Sequence, residues 1–298
     1  MTMVDSETLR TRLARKPIVV APGVYDALTA HLAERAGFST LYVSGATIAY
    51  TRLGRPDIGL VVMSEVVDTI SMISDRVRAD LVVDADTGYG NALNVGRTIR
   101  LFERAGARAI QLEDQAFPKR CGHLDNKSLI SPEEMVGKIK AALDARRSRE
   151  TLVIARTDAV AVEGFDHAVA RAISYRDAGA DILFIEAPKT RAELQRIPPA
   201  VGNVPLMANM VEGGKTPPLK ASELEAIGFS LVIFPGAIVR VLARAASEFY
   251  ASLASKGTSE FFQDRMYDFT ALNDVIGTPE MIALGKQYEA NTKKDHNK

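Results

Sequence analysis

A chain of 298 residues with 37 basic and 37 acidic side chains carries no charge excess that would draw it to nucleic acid or an anionic membrane, so the expected partner is a small molecule. Residues 1–16 lack the apolar run of a signal peptide, and no later stretch holds the ~18 uncharged apolar residues of a membrane span. The single cysteine cannot form an internal disulfide, which agrees with a reducing compartment, and the expectation is a soluble cytoplasmic protein.

In chain order, PIVVAPG (17–23) reads as a first strand and 24–36 as the helix after it. ERAGFSTLYVSG (34–45) ends a charged helical pattern with Gly and runs apolar into strand two, followed by a helix over 64–77. DLVVDADTG (80–88) is strand three, with a helix over 93–105, and ERAGARAIQLED (103–114) leads into strand four, with a helix over 132–147. TLVIARTD (151–158), helix 165–178, RDAGADILFIEA (176–187) and helix 191–197 continue the pattern. VPLMANM (204–210), helix 221–226, EAIGFSLVIFPG (225–236) and helix 237–255 complete it.

The runs are apolar throughout rather than alternating, as strands covered on both faces should be. Eight strand–helix pairs predict a (β/α)8 TIM-type barrel over 1–255, with a doubly wound open sheet as the fallback. Residues 256–298 fall outside the rhythm and read as a C-terminal helical extension, NTKKDHNK being a frayed tail.

A barrel gathers its chemistry at the C-terminal ends of its strands. There stand Tyr42, Ser44, Gly45, Asp84, Asp86, Glu113, Asp114, Arg156, Asp158, Glu186 and Asn209. Asp84 and Asp86, two apart on a strand, are expected to point to one side and, with Glu113, to suit a hard cation such as Mg2+ or Mn2+. Zinc is disfavoured, since no cysteine pair or histidine cluster lies near. GYGNAL lacks the third glycine of a dinucleotide fingerprint, GGKT lacks the first glycine of a P-loop, and DADTGY misplaces the glycine of a calcium loop. His31, His167 and His296 read as surface residues.

FPKRCGH (117–123) opens the long polar connection 115–131 after strand four. Loops of this length in a barrel are usually functional lids, and this one offers two cations, a thiol and an imidazole to an anionic substrate that needs a proton moved. The cations favour thiolate; a bound anion and neighbouring carboxylates oppose it.

These residues resemble the isocitrate lyase and phosphoenolpyruvate mutase superfamily, in particular its short lyase branch. KRCGH is that branch's signature, and YVSG, DADTGYG, LEDQ, ARTDA, EA and N-x-x-x-GG-x-TP occur in the family order between about 17 and 255. The resemblance implies a metal-dependent lyase that breaks the C2–C3 bond of a 2-hydroxy acid. Asp84 and Asp86 would hold Mg2+, with Asp57 and Glu113 supporting the shell. Ser44, Gly45 and Ala46 would grip the end that becomes pyruvate, Arg156 a carboxylate, and Gly122, Glu186, Asn209 and Arg240 the remainder. Cys121 would be the general acid, with Lys119, Arg120 and His123 stabilising developing charge and Tyr42 as the base. The family further implies a homotetramer with exchanged C-terminal helices.

Methylisocitrate lyases of the family carry an arginine where Phe269 stands here, which favours alkyl-substituted malates over tricarboxylates, with Arg265 as a possible substitute cation. A mutase or decarboxylase on the same barrel would not need Cys121, and a non-catalytic binding protein would need neither the metal nor the thiol.

Overall fold

The computed structural model describes residues 7–122, 124 and 126–295. The chain opens with α1 (Leu9–Leu13), β1 (Val19–Val24), α2 (Ala27–Arg35), β2 (Thr40–Val43) and α3 (Gly45–Ile48), which runs into a π turn over Ala49–Leu53. There follow α4 (Met63–Arg76), β3 (Asp80–Asp84), α5 (Ala92–Ala105), β4 (Ala107–Glu113), α6 (Pro132–Ala145) and β5 (Leu152–Thr157). Then come α7 (Phe165–Asp177), β6 (Ile182–Ile185), α8 (Arg191–Val201), β7 (Leu206–Asn209), α9 (Ala221–Ile227) and β8 (Leu231–Phe234). Three further helices close the chain: α10 (Ala237–Lys256), α11 (Phe269–Ile276) and α12 (Thr278–Asp295).

The eight strands pair in chain order, all parallel, and β8 pairs back onto β1, so the sheet closes into the expected barrel. Alternate residues explain the continuous apolarity of the strands. Val19, Ala21, Val82, Ala109, Leu152, Ile154, Ile182, Phe184, Met207, Leu231 and Ile233 fill the barrel interior, while their neighbours, such as Val83, Ile110, Val153 and Leu183, pack outward with the helices. Leu9 and Leu13 of α1 join the interior cluster. The sequence pattern does not announce this helix, because five residues make too short a periodic signal; Thr8 caps it by accepting from the Thr11 amide.

Register carries the chemistry-bearing residues to one rim. Asp84 stands opposite Gln111 across β3 and β4, Glu113 opposite Arg156 across β4 and β5, and Asn209 opposite Ile233 across β7 and β8. The periodic pattern ends its sixth helix at 197, ahead of a proline pair, yet that helix, α8 of the structure, continues through Pro198 and Pro199 to Val201.

The chain divides into two compact units, Met1–Arg240 and Val241–Lys298, with the break inside α10. In the second unit Phe249 packs against Tyr250 and Phe262. Arg265 pairs with Glu248 at 2.7 Å and lies over the Phe262 ring. No helix among the described residues is long and apolar enough to cross a membrane.

Candidate active site

At the rim of the first unit the chain turns sharply after β3. Asp84 ends the strand, and Asp86 sits in the left-handed region (φ 47°), which a short polar side chain tolerates. Its amide donates to Asp84 Oδ1 at 3.1 Å. The two carboxylates therefore converge through this turn rather than through the strand pleat that the spacing implied. They meet against Gly45 at the start of α3: a Cβ there would lie 3.2 Å from Asp84 Oδ2 and 3.3 Å from Asp86 Oδ1, so only glycine leaves that space open.

Into this cluster reaches Lys119, 4 % exposed. Its Nζ lies 2.5 Å from Asp57 Oδ1 and 2.6 Å from Asp86 Oδ1. Burial works against the Lys119 charge, but Asp86 and Asp57 outweigh it and hold the ammonium well above its usual range. Burial likewise pushes Asp86 up to about 7 against the pull of Lys119. Glu113 is also driven well up by burial, opposed by Arg156.

Among the described residues no three His, Cys, Asp or Glu side chains close around a point as a finished metal cage. The donor set nevertheless fits a hard cation. It is all oxygen, Asp84 Oδ2 and Asp86 Oδ1 face the same space, and the buried Glu113 Oε1 has no hydrogen-bond partner. In this arrangement the Lys119 ammonium supplies positive charge among these acids.

Across the rim, Arg156 is 7 % exposed. It donates from Nε to Asp158 Oδ2 at 2.8 Å and from Nη2 to Asp158 Oδ1 at 3.1 Å, with Glu113 and Glu186 at 3.4 and 3.5 Å. Its guanidinium lies over the Phe184 ring. Burial raises Asp158, but Arg156 and Lys127 more than reverse this and hold it at about 2. Asp114, which the sequence reading counted with the rim, faces away from it. It accepts from the Asp158 amide, Thr157 Oγ1 and Tyr175 OH at 2.9, 2.7 and 2.8 Å, and so supports the end of β5 from behind.

The long connection after β4 folds back over this rim. Gln115 clasps the Arg120 main chain from both sides, donating to its carbonyl at 2.8 Å and accepting from its amide at 3.0 Å. The Cys121 amide donates to the Asp57 carbonyl at 3.2 Å. A Cβ at Gly122 would run into the Arg156 guanidinium and lie 2.7 Å from Glu186 Cγ, so glycine is what lets the backbone lie on that charged pair. Lys127 donates to the Gly122 carbonyl and to Asp158 Oδ1, the latter at 2.8 Å.

A cavity of about 100 Å3 lies at the centre of these groups. Tyr42, Ser44, Ala46, Asp57, Asp84, Glu113, Lys119, Arg120, Cys121, Gly122, Arg156, Glu186, Asn209 and Arg240 all line it. Gly45 and Asp86 adjoin it through the contacts above, and His123 lies outside the described residues. Asn209 donates to Glu186 Oε2 at 3.0 Å, and Arg240 pairs with Glu212 at 3.3 Å. Tyr42, expected as a base, donates its phenolic proton to Gln111 Oε1 at 2.9 Å, and Gln111 in turn donates to Asp84 at 3.0 Å. Burial and then Asp84 push its phenol well above the usual range, which opposes that role.

The sequence reading missed Tyr50, Thr47, Val211, Ile233, Pro235 and Gly236 of the lining. It also missed Gln115 and Lys127. Gln115 had a signal, its place in LEDQ; Lys127 had none, because a lysine between Asn126 and Ser128 reads as solvated. Phe269 belongs to the second unit, where it is 87 % exposed.

A closed parallel barrel with carboxylates, buried cations and a thiol around one small cavity defines an enzyme for a small anionic substrate. The chain belongs to the phosphoenolpyruvate phosphomutase family, whose model matches residues 9–254, and like its relatives it is a lyase. It is 43% identical to the 2,3-dimethylmalate lyase of Eubacterium barkeri over 96% of this chain and 99% of that one. It is 48% identical to the 2-methylisocitrate lyase of Aeropyrum pernix over 90% of this chain and 86% of that one. Among solved structures, a 2,3-dimethylmalate lyase described as a PEP mutase/isocitrate lyase superfamily member superposes with a TM-score of 0.89 at 36% identity, covering 94% of both chains. A phosphonopyruvate hydrolase in complex with oxalate and Mg++ superposes with a TM-score of 0.84 at 32% identity, covering 94% of this chain and 97% of that one.

Proposed function

We propose that this lyase cleaves the C2–C3 bond of a 2-hydroxy dicarboxylate of the substituted-malate type, such as 2,3-dimethylmalate, to pyruvate and a carboxylic acid. The observation that carries the reading is the Cys121 loop seated over a cavity lined by Arg156, Asp84 and Glu113, with Asp86 adjoining it. Asp84 and Asp86, with Asp57 and Glu113 behind them, would hold Mg2+ or Mn2+. When bound, the ion supplies positive charge that acidifies the substrate hydroxyl and fixes its geometry.

The chain's own groups do the rest. Ser44, Gly45 and Ala46 hold the end that becomes pyruvate, and the planar fork of Arg156 holds a carboxylate in two directions. The hydroxyl loses its proton and becomes the C2 carbonyl as the C2–C3 bond breaks. The bonding pair passes to C3 and its carboxylate as an aci-carboxylate. Lys119 and Arg120, with His123, stabilise that charge in a site the loop keeps dry. Cys121 then gives its S–H proton to C3, completing the carboxylic acid product. Tyr42, tied to Gln111, serves as a hydrogen-bond donor, which leaves a carboxylate of the cluster as the proton acceptor.

Glu186, Asn209, Gly122 and Arg240 shape the remaining wall. Phe269 in place of a cation favours the substituted malate over 2-methylisocitrate, whose third carboxylate needs one. The large apolar side chains left exposed in the second unit, among them Phe261, Tyr267, Phe269 and Met281, support assembly of copies, for which we take the family's homotetramer with extension 256–298 exchanged. The sole cysteine being a reactive thiol supports a cytoplasmic setting.

The test is pyruvate release, followed with a coupled lactate dehydrogenase, over a panel of 2-hydroxy di- and tricarboxylates with and without Mg2+. Metal-dependent release with highest kcat/KM on 2,3-dimethylmalate is the expected result. A preference for 2-methylisocitrate overturns the substrate, and no pyruvate from any member of the panel overturns the reaction.

A further inference from the structure

The connection after β4 leaves and returns side by side. Gln115 bridges to Leu129, the Ala116 amide donates to Ser128, and the Ile130 amide donates to Asp114. A neck of this kind fixes where the loop begins and ends but not where its tip lies. The tip is placed by side chains. Lys119 ties it to the acids, Gln115 holds the Arg120 peptide, and Lys127 reaches from the returning limb to the carbonyl of Gly122, the residue after the thiol.

Lys127 differs from the other two in what it joins. Its side chain is 1% exposed, and its ammonium shares one carboxylate oxygen, Asp158 Oδ1, with the Arg156 guanidinium. Asp158 is itself 0% exposed and has its amide held by Asp114. A buried ammonium at that point has one structural consequence on each side. It draws the Gly122 backbone, next to the thiol, down onto Arg156, and it takes up part of the Asp158 charge that would otherwise belong wholly to Arg156.

We propose that Lys127 is a positioning residue, a charged latch that sets the thiol and the carboxylate-binding Arg156 in register by bonding Gly122 and Asp158 at once. This rests on the reading of Cys121 and Arg156 as working groups of one site, but its test does not need turnover. Because the chain has one cysteine, the rate at which Ellman's reagent modifies the thiol reports how tightly the tip is seated.

In the intact protein, Lys127→Met keeps most of the length of the side chain and removes its charge. It should raise the Cys121 modification rate about ten- to a hundredfold, the factor expected for losing a hydrogen bond to a charged group, with the thermal midpoint changed far less than by a core substitution. Lys127→Ala should behave alike, and ethylammonium should return its rate toward that of the wild type, whereas tetramethylammonium, which has no N–H, should not. Should the methionine variant fail to fold, the alanine variant purified in ethylammonium and then dialysed carries the same comparison.

An unchanged thiol rate in Lys127→Met, or an Ala variant indifferent to ethylammonium, overturns the latch. Pyruvate release measured on the wild type is scored separately. Its absence sinks the lyase reading and leaves the latch standing if the thiol rates behave as described.

Discussion

Gly122 and Cys121 sit side by side and do opposite things. One gives the loop no side chain so that its backbone can press onto Arg156 and Glu186; the other, in the mechanism proposed above, supplies the acidic proton. Gly122→Ala forces a methyl group into that contact and should lift the tip, lowering kcat by about tenfold or more. Global stability should hardly change, because the strain is relieved by moving a loop rather than the barrel. A thermal midpoint that falls in parallel with activity would show the glycine to be structural. Cys121→Ser keeps the shape but offers a much weaker acid. Turnover should fall by orders of magnitude while binding of the substrate persists, read as a collapse of kcat with KM little altered. A serine variant with most of the wild-type rate would make Cys121 a bystander. The sequence exposed these residues because a lone thiol between cations is chemically conspicuous, whereas Lys127 is one lysine in a polar loop and its burial is a product of the tertiary fold alone.

Elements were legible to the degree that burial is two-sided. Strands such as β5, with Leu152 and Ile154 inside and Val153 and Ala155 outside, must be apolar at every position, and that signal survives in one sequence. The α1 plug, the π turn and the proline-bearing end of α8 left no comparable trace, since each depends on what it packs against. The end of β5 makes a prediction of its own. An aspartate ordinarily titrates at 3.8, and the fold holds Asp158 at about 2. A depressed acid binds fewer protons folded than unfolded, so its contribution is present above pH about 4 and is lost as the pH falls through about 2, on the order of 2 kcal/mol in all. Thermal melts from pH 5 to 2 should therefore fall less steeply for Asp158→Asn than for the wild type, although the variant starts lower. Parallel curves would show that Asp158 is not the group titrating.

Closure of the barrel makes the strand ends a single ring, and the pairing of β3, β4 and β5 within it sets Asp84, Asp86 and Glu113 beside Arg156 although they lie far apart in the chain. Such a ring stores like charge. Asp86 is pushed up to about 7 mainly by burial, with Asp84 and Asp57 adding to it against Lys119. An ion that binds the folded ring and not the unfolded chain stabilises the whole molecule by mass action, about 2.7 kcal/mol at a hundredfold excess over its dissociation constant. Mg2+ should therefore raise the thermal midpoint of chelator-treated protein and restore pyruvate release, with Mn2+ able to replace it. Asp84→Ala should abolish both effects. The same variant should melt little lower than the wild type when both are metal-depleted, because the repulsion relieved by removing one acid offsets a small cavity and the lost contacts from Gln111 and the Asp86 amide. Equal Mg2+ shifts in the two proteins would place the ion elsewhere, and full turnover in excess EDTA would remove it from the reaction altogether.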